Sequence, residues 1–202
     1  MSVLVIGGHS RNVGKTSVVA GLIAALPDYE WTAVKITQYG HGVCSVNGES
    51  CGCAVDEHAW SVSEERDAGS GKDTARYLAA GARRTLWVRT KQGRLAEAVP
   101  DLRRELAGAV NVIIESNSVL RFLRPDLYLT VLDPATEDFK ESAREYLDRA
   151  DAVLLHEGSA AAKWKGVSLK PAADAAVFTI RPPEYLTEEV VEFVRRKLPR
   201  PT

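Results

Sequence analysis

Gly7-Gly8-His9-Ser10-Arg11-Asn12-Val13-Gly14-Lys15-Thr16-Ser17 decides how the rest of the chain is read. The apolar run before it, Val3-Leu4-Val5-Ile6, has the character of a buried parallel strand. The run after it, Val18 to Leu26, reads as a helix packed against a sheet. Strand, glycine-rich turn, Gly-Lys-Thr and helix form the context in which such a turn cradles phosphate. Main-chain N–H groups at a helix N-terminus have no intrahelical acceptor and carry the positive end of the helix dipole. They offer a nest for a di- or triphosphate. Gly8, Arg11, Asn12, Val13, Gly14, Lys15, Thr16 and Ser17 are therefore the expected nucleotide-binding residues. Lys15 reaches the terminal phosphates in this reading, and the Thr16 hydroxyl ligates Mg²⁺. The usual motif has four residues between its two glycines, whereas counting from Gly8 to Gly14 gives five here, with His9 among them.

Outward from this loop, apolar strand-like runs alternate with helical ones. Trp31–Thr37, Thr85–Arg89, Val110–Glu115, Leu127–Leu132, Ala152–Leu155 and Ala176–Ile180 follow the first strand. Helical segments are expected over 73–81, 95–106, 139–150 and 187–198, with Pro100 kinking or dividing the second of these. The pattern predicts an α/β fold, a doubly wound, mainly parallel sheet of about seven strands between two helical layers. The chain of 202 residues is read as one domain with an insertion at about 38–71. That insertion is polar, rich in Gly and Ser, and contains all three cysteines. A connection of that length is expected to be functional or mobile.

Composition narrows the field. With 45% hydrophobic and 26% charged residues the chain resembles an ordinary soluble globular protein. A net charge of −1 gives no electrostatic case for nucleic acid or for an anionic membrane. No apolar run is long enough to span a bilayer, and no charged n-region precedes the first strand. A cytoplasmic location is the resulting expectation.

Three constellations carry candidate chemistry. Ligands in such sheets sit beyond the C-terminal strand ends. Glu115 closes an apolar strand there, and with Thr16 and Asp73 it forms the expected Mg²⁺ set of hydroxyl and carboxylate oxygens. Asp73 reads equally well as a helix N-cap. Lys35 leaves the second strand on the same side and shares a face with Thr37 by alternation. Lys15, Lys35 and Glu115 are the expected catalytic residues; Thr37, Gln38 and Asn117 are candidates for contacting a second substrate. His41, Cys44, Cys51, Cys53 and His58 combine soft thiolates with imidazole, which suits zinc, although C-x₆-C-x-C is not a standard finger. An iron–sulfur site, which needs four ligands of the right kind, and reduced thiols without metal are the alternatives. His156 lies where a nucleotide base could bind, with its role open.

The loop Gly8 to Thr16 resembles the dethiobiotin synthetase phosphate loop, Gly-Thr-Asp-Thr-x-Val-Gly-Lys-Thr, including its five-residue spacing. Lys35 and Gly40 look like that family's Lys-Pro-x-x-x-Gly segment, with Ile36 in place of proline. The resemblance implies that Thr16, Asp73 and Glu115 hold Mg²⁺. Asp73-Thr74-Ala75-Arg76 with Ala80-Gly81-Ala82 is similar to a segment of the GTP-binding accessory proteins of molybdopterin-guanine dinucleotide biosynthesis. Lys35 to His41 resembles their Lys-His-x-x-His region, and Glu115 matches their Glu-Gly, with Ser116 replacing the glycine. No Asn-Lys-x-Asp motif reads a guanine base. These likenesses imply a Mg²⁺-dependent P-loop NTPase that uses ATP or GTP and partners a small molecule or a cofactor-pathway protein. The alternatives are an ATP-dependent ligase and a metal-binding switch; a homodimer is left open.

Overall fold

The computed structural model describes residues 1–40, 59–158 and 162–199. Its strands are β1 (Ser2–Gly8), β2 (Trp31–Tyr39), β3 (Trp60–Glu64), β4 (Arg84–Lys91), β5 (Asn111–Glu115), β6 (Leu127–Leu132), β7 (Ala152–His156) and β8 (Ala176–Ile180). The helices are α1 (Lys15–Ala25), α2 (Asp73–Ala79), α3 (Leu95–Glu105), α4 (Glu141–Glu145) and α5 (Glu188–Lys197). One sheet runs in the order β3-β4-β2-β5-β1-β6-β7-β8, parallel except where β3 pairs antiparallel with β4.

The layers follow from side-chain alternation along buried strands. In β1, Leu4 and Ile6 join a core with Val18, Val19, Leu22 and Ile23 of α1 and Val190, Phe193 and Val194 of α5. Val5 faces the other way, into a core with Leu95, Ala98 and Leu102 of α3. Helices thus cover both faces. Acidic Glu188 and Glu189 open α5 and Arg195, Arg196 and Lys197 close it, a distribution that favours the helix dipole.

Three expectations change. The sheet has eight strands, because Trp60–Glu64, inside the polar 38–71 region, forms an antiparallel edge strand. Pro100 does not divide α3. Both Pro100 and Ala96, whose carbonyl loses its helical donor, are exposed, so water can satisfy that oxygen. The expected helix over 139–150 is reduced to α4 and a 3₁₀ turn at Leu147–Arg149.

The central strand β1 lies between β5 and β6, and the chain leaves it towards β2 on one side and returns to β6 on the other. That reversal creates a crevice at its C-terminal end. The glycine-rich loop fills it.

Candidate functional site

The loop turns from β1 into α1 through two left-handed residues, Asn12 (φ 58°) and Gly14 (φ 94°). Gly14 is the residue before the helix and permits this backbone at little steric cost. A Cβ there would also lie 2.1 Å from the Tyr185 ring. The loop is held from three directions. Asn117 donates through Nδ2 to the Gly8 carbonyl at 2.8 Å and accepts the Gly8 N–H through Oδ1 at 2.9 Å. His156 donates from Nε2 to the Val13 carbonyl at 2.9 Å. His9, fully buried, accepts the Asp133 N–H at Nε2 (3.0 Å), so its Nδ1 carries the proton and donates to the Asp138 carbonyl at 2.7 Å. His9 also packs against Phe139 and Trp164, with centroids 5.1 Å away. Burial pushes its pKa below the ordinary imidazole value. The residue that departs from the usual motif is therefore a buried anchor tying the loop to the segment after β6.

Four sequence-predicted residues converge beside the loop. Thr16 donates from Oγ1 to Glu115 Oε2 at 2.8 Å. The Lys35 ammonium lies 2.5 Å from Asp73 Oδ2, 2.9 Å from Glu115 Oε1 and 3.3 Å from Thr16 Oγ1. Strand register makes part of this unavoidable, since Lys35 and Glu115 are direct neighbours on β2 and β5. Asp73 is the first residue of α2 and makes no cap; Lys72 stands at the cap position. Tyr77, one turn further along, donates its hydroxyl to Glu115 Oε2. Burial and the Glu115 charge raise the Tyr77 phenol well above its ordinary pKa. Its i, i+4 spacing from Asp73 was a signal available in the sequence. Thr16, Asp73 and Glu115 present hard oxygen donors around a single positive charge, the donor type that Mg²⁺ takes.

Lys15 bends back to donate to the Ser10 carbonyl at 2.5 Å. Burial pushes its pKa down to about 8, opposed by the Glu115 charge. Arg76 donates to Ser17 Oγ at 3.0 Å. Lys140 stands across the cleft near Arg11, its pKa lowered by burial and then by the Arg11 charge. Thr37 accepts the Trp87 indole N–H at 3.0 Å, while Gln38 bridges Ser118 Oγ (2.6 Å) and the Gly93 N–H (3.1 Å). Lys15, Thr16, Arg76 and Lys140 border one cleft of about 1150 Å³, which reaches from the loop past Lys35 to Gln38 and Ser118.

The candidate zinc ligands His41, Cys44, Cys51, Cys53 and His58 lie outside the described residues. Among the described residues there is no group of three or more His, Cys, Asp or Glu side chains that could hold a metal ion. Among them, too, no helix is long and apolar enough to cross a membrane.

No protein-family model and no curated protein matches this sequence. Several solved structures resemble it, two of them as follows. One is HypB from Helicobacter pylori in complex with nickel, with a TM-score of 0.52 and 16% identity over 96% of this chain and 86% of that one. The other is the "apo" form of LpxK from Aquifex aeolicus in complex with ATP, with a TM-score of 0.47 and 17% identity over 89% of this chain and 53% of that one. A mostly parallel sheet between helical layers, with a glycine-rich loop after its central strand, is the three-layer α/β/α fold seen in P-loop NTPases.

Proposed function

We propose that this protein is a Mg²⁺-dependent nucleoside triphosphatase, using ATP or GTP, that couples phosphoryl transfer to a small molecule or protein partner. The observation that carries this reading is the meeting of Thr16, Asp73 and Glu115 around one cation beside the phosphate loop. Main-chain amides from Val13 to Ser17 would bind the phosphates, and Lys15 would exchange the Ser10 carbonyl for the terminal phosphate oxygens. Thr16, Asp73 and Glu115 would hold Mg²⁺, which supplies neutralisation of charge on the transferring phosphoryl group. Arg76, one turn into α2 and bonded to Ser17, stands at the same rim as a further cation.

The test is phosphate release from ATP and GTP by the purified chain. Turnover is expected with Mg²⁺ and should be lost in a folded Lys15→Ala protein. Normal turnover in that variant would refute the assignment.

A second reading is an ATP-dependent ligase resembling dethiobiotin synthetase. The extension of the cleft past Lys35 to Gln38, Ser118 and Lys140 favours it, because that space lies beyond the phosphate loop and offers cationic and hydrogen-bonding groups for an anionic second substrate. Turnover that begins only after a small carboxylate or amine is supplied would select this reading over the first.

A further inference from the structure

We propose that Lys35 is the resident cation of the metal position, so that metal loading and release of the Lys35 ammonium are a single exchange. The proposal rests on the metal-dependent reading above and adds to it what occupies those oxygens before the metal arrives.

Every N–H of the Lys35 ammonium has an acceptor, and the three acceptors are the side chains assigned to the metal: Asp73 at 2.5 Å, Glu115 at 2.9 Å and Thr16 at 3.3 Å. Its side chain is 16% exposed and that of Glu115 is 7% exposed, whereas Asp73, at 45%, forms the side of the cluster that is open to solvent. A divalent ion of the magnesium type would bind such oxygens at about 2.1 Å and would need a free lone pair on the Thr16 hydroxyl. That hydroxyl donates to Glu115 Oε2 and accepts from Lys35, which leaves it one lone pair, but the ammonium fills the space among the three oxygens that a metal would have to enter. Two cations cannot share this space without strong repulsion.

The arrangement has a physical use. Glu115 sits at the end of an entirely buried strand, where a carboxylate without a counter-charge would be costly. Lys35 supplies that counter-charge and holds the carboxylate in place while the nucleotide is absent. Exchange then frees the ammonium, on a flexible stem, to turn towards the cleft beyond the loop, where an anionic phosphate or second substrate would meet it.

Manganese alone is the probe, with no nucleotide present. Mn²⁺ binding is measured by electron paramagnetic resonance for the wild type, Lys35→Met and Lys35→Arg, each checked for folding by circular dichroism. Lys35→Met is expected to bind Mn²⁺ at least tenfold more tightly than the wild type. Lys35→Arg, which keeps the charge, should bind no better than the wild type, and adding Asp73→Asn to Lys35→Met should cancel the gain. Equal Mn²⁺ affinity in wild type and Lys35→Met overturns the proposal.

Should Lys35→Met not fold, labelling of the wild type decides. Acetylation of Lys35, read by mass spectrometry, should accelerate when saturating Mg²⁺ is added alone; an unchanged rate overturns the exchange. Calorimetry of the wild type with ATP and GTP separates the two ideas. Nucleotide binding with no Mn²⁺ difference between the proteins defeats only the exchange. Absence of nucleotide binding defeats the functional reading.

Discussion

Asn117 grips both backbone polar groups of Gly8, accepting the N–H at 2.9 Å and donating to the carbonyl at 2.8 Å, across 109 positions of sequence. The side chain thus behaves like one more rung of sheet at the point where β1 becomes a loop. The preceding Gly7 is fitted to this arrangement: a Cβ there would lie 2.2 Å from Asn117 Oδ1 and 2.6 Å from the Tyr128 hydroxyl. Asn117→Ala removes both hydrogen bonds without crowding anything. A stability loss of about 1–3 kcal/mol is expected in urea unfolding. Nucleotide affinity should fall with it, roughly tenfold if about 1.4 kcal/mol of loop order is lost. Wild-type affinity in a folded Asn117→Ala protein would show that the clamp does not shape the loop.

Gly14→Ala tests the loop from its other end. Two costs arise at this position, a left-handed backbone at φ 94° and a collision with the Tyr185 ring. The first belongs to the residue itself and costs about 1 kcal/mol or more. The second can be relieved. Nucleotide binding should be lost in Gly14→Ala and partly recovered in Gly14→Ala with Tyr185→Ala, as measured by calorimetry. Full recovery in the double variant would mean that the backbone strain is immaterial, and no recovery would mean that Tyr185 is.

What could be read from the sequence, and what could not, divides along a physical line. Strands buried on both faces, such as β1, β5 and β6, are continuous apolar runs, so their positions and the parallel α/β architecture were legible. The glycine-rich loop announces itself through local backbone demands. Edge strand β3 did not, because Trp60-Ser61-Val62-Ser63-Glu64 is only partly buried and its serines accept from Arg89 on the neighbouring strand. The convergence of Thr16, Asp73 and Glu115 could be expected from their places at strand and helix ends. Their sharing of the Lys35 ammonium depends on the spatial order β2-β5-β1, which sequence order hides. His9 and Asn117 carry the same lesson, since their partners lie more than 100 positions away.

The Lys15 ammonium, with its pKa near 8, sets a pH limit on nucleotide binding. Phosphates favour the charged amine, so the complex holds the proton more tightly than the free protein does. Affinity should be level below about pH 8. It should then weaken by up to tenfold per pH unit as pH rises, until the pKa of the complex is reached. Lys15→Arg keeps its charge throughout this range and should bind with a flat profile. Lys140 also has a lowered pKa and faces the same cleft, so Lys140→Arg is the matched control. A slope that disappears in Lys140→Arg and persists in Lys15→Arg would reassign the titration.

His9 should make the fold acid-sensitive in a defined direction. The ring is fully buried, and its Nε2 accepts the Asp133 N–H, so this nitrogen must be unprotonated. Burial lowers the folded-state pKa below that of the unfolded chain, about 6.5. Stability linked to His9 is therefore fully present above about pH 6.5. It is lost as pH falls towards the folded-state pKa, because the unfolded chain then binds the extra proton. The expected slope is up to about 1.4 kcal/mol per pH unit across that window. His9→Gln offers an acceptor and a donor but does not titrate. It should be less stable than the wild type at pH 7.5, since it forfeits the contacts with Phe139 and Trp164, yet lose less on going to pH 5.5. Urea unfolding of both proteins at the two pH values measures the difference. Parallel losses would place the acid sensitivity elsewhere, because a group that titrates identically in both proteins cannot be the imidazole that one of them lacks.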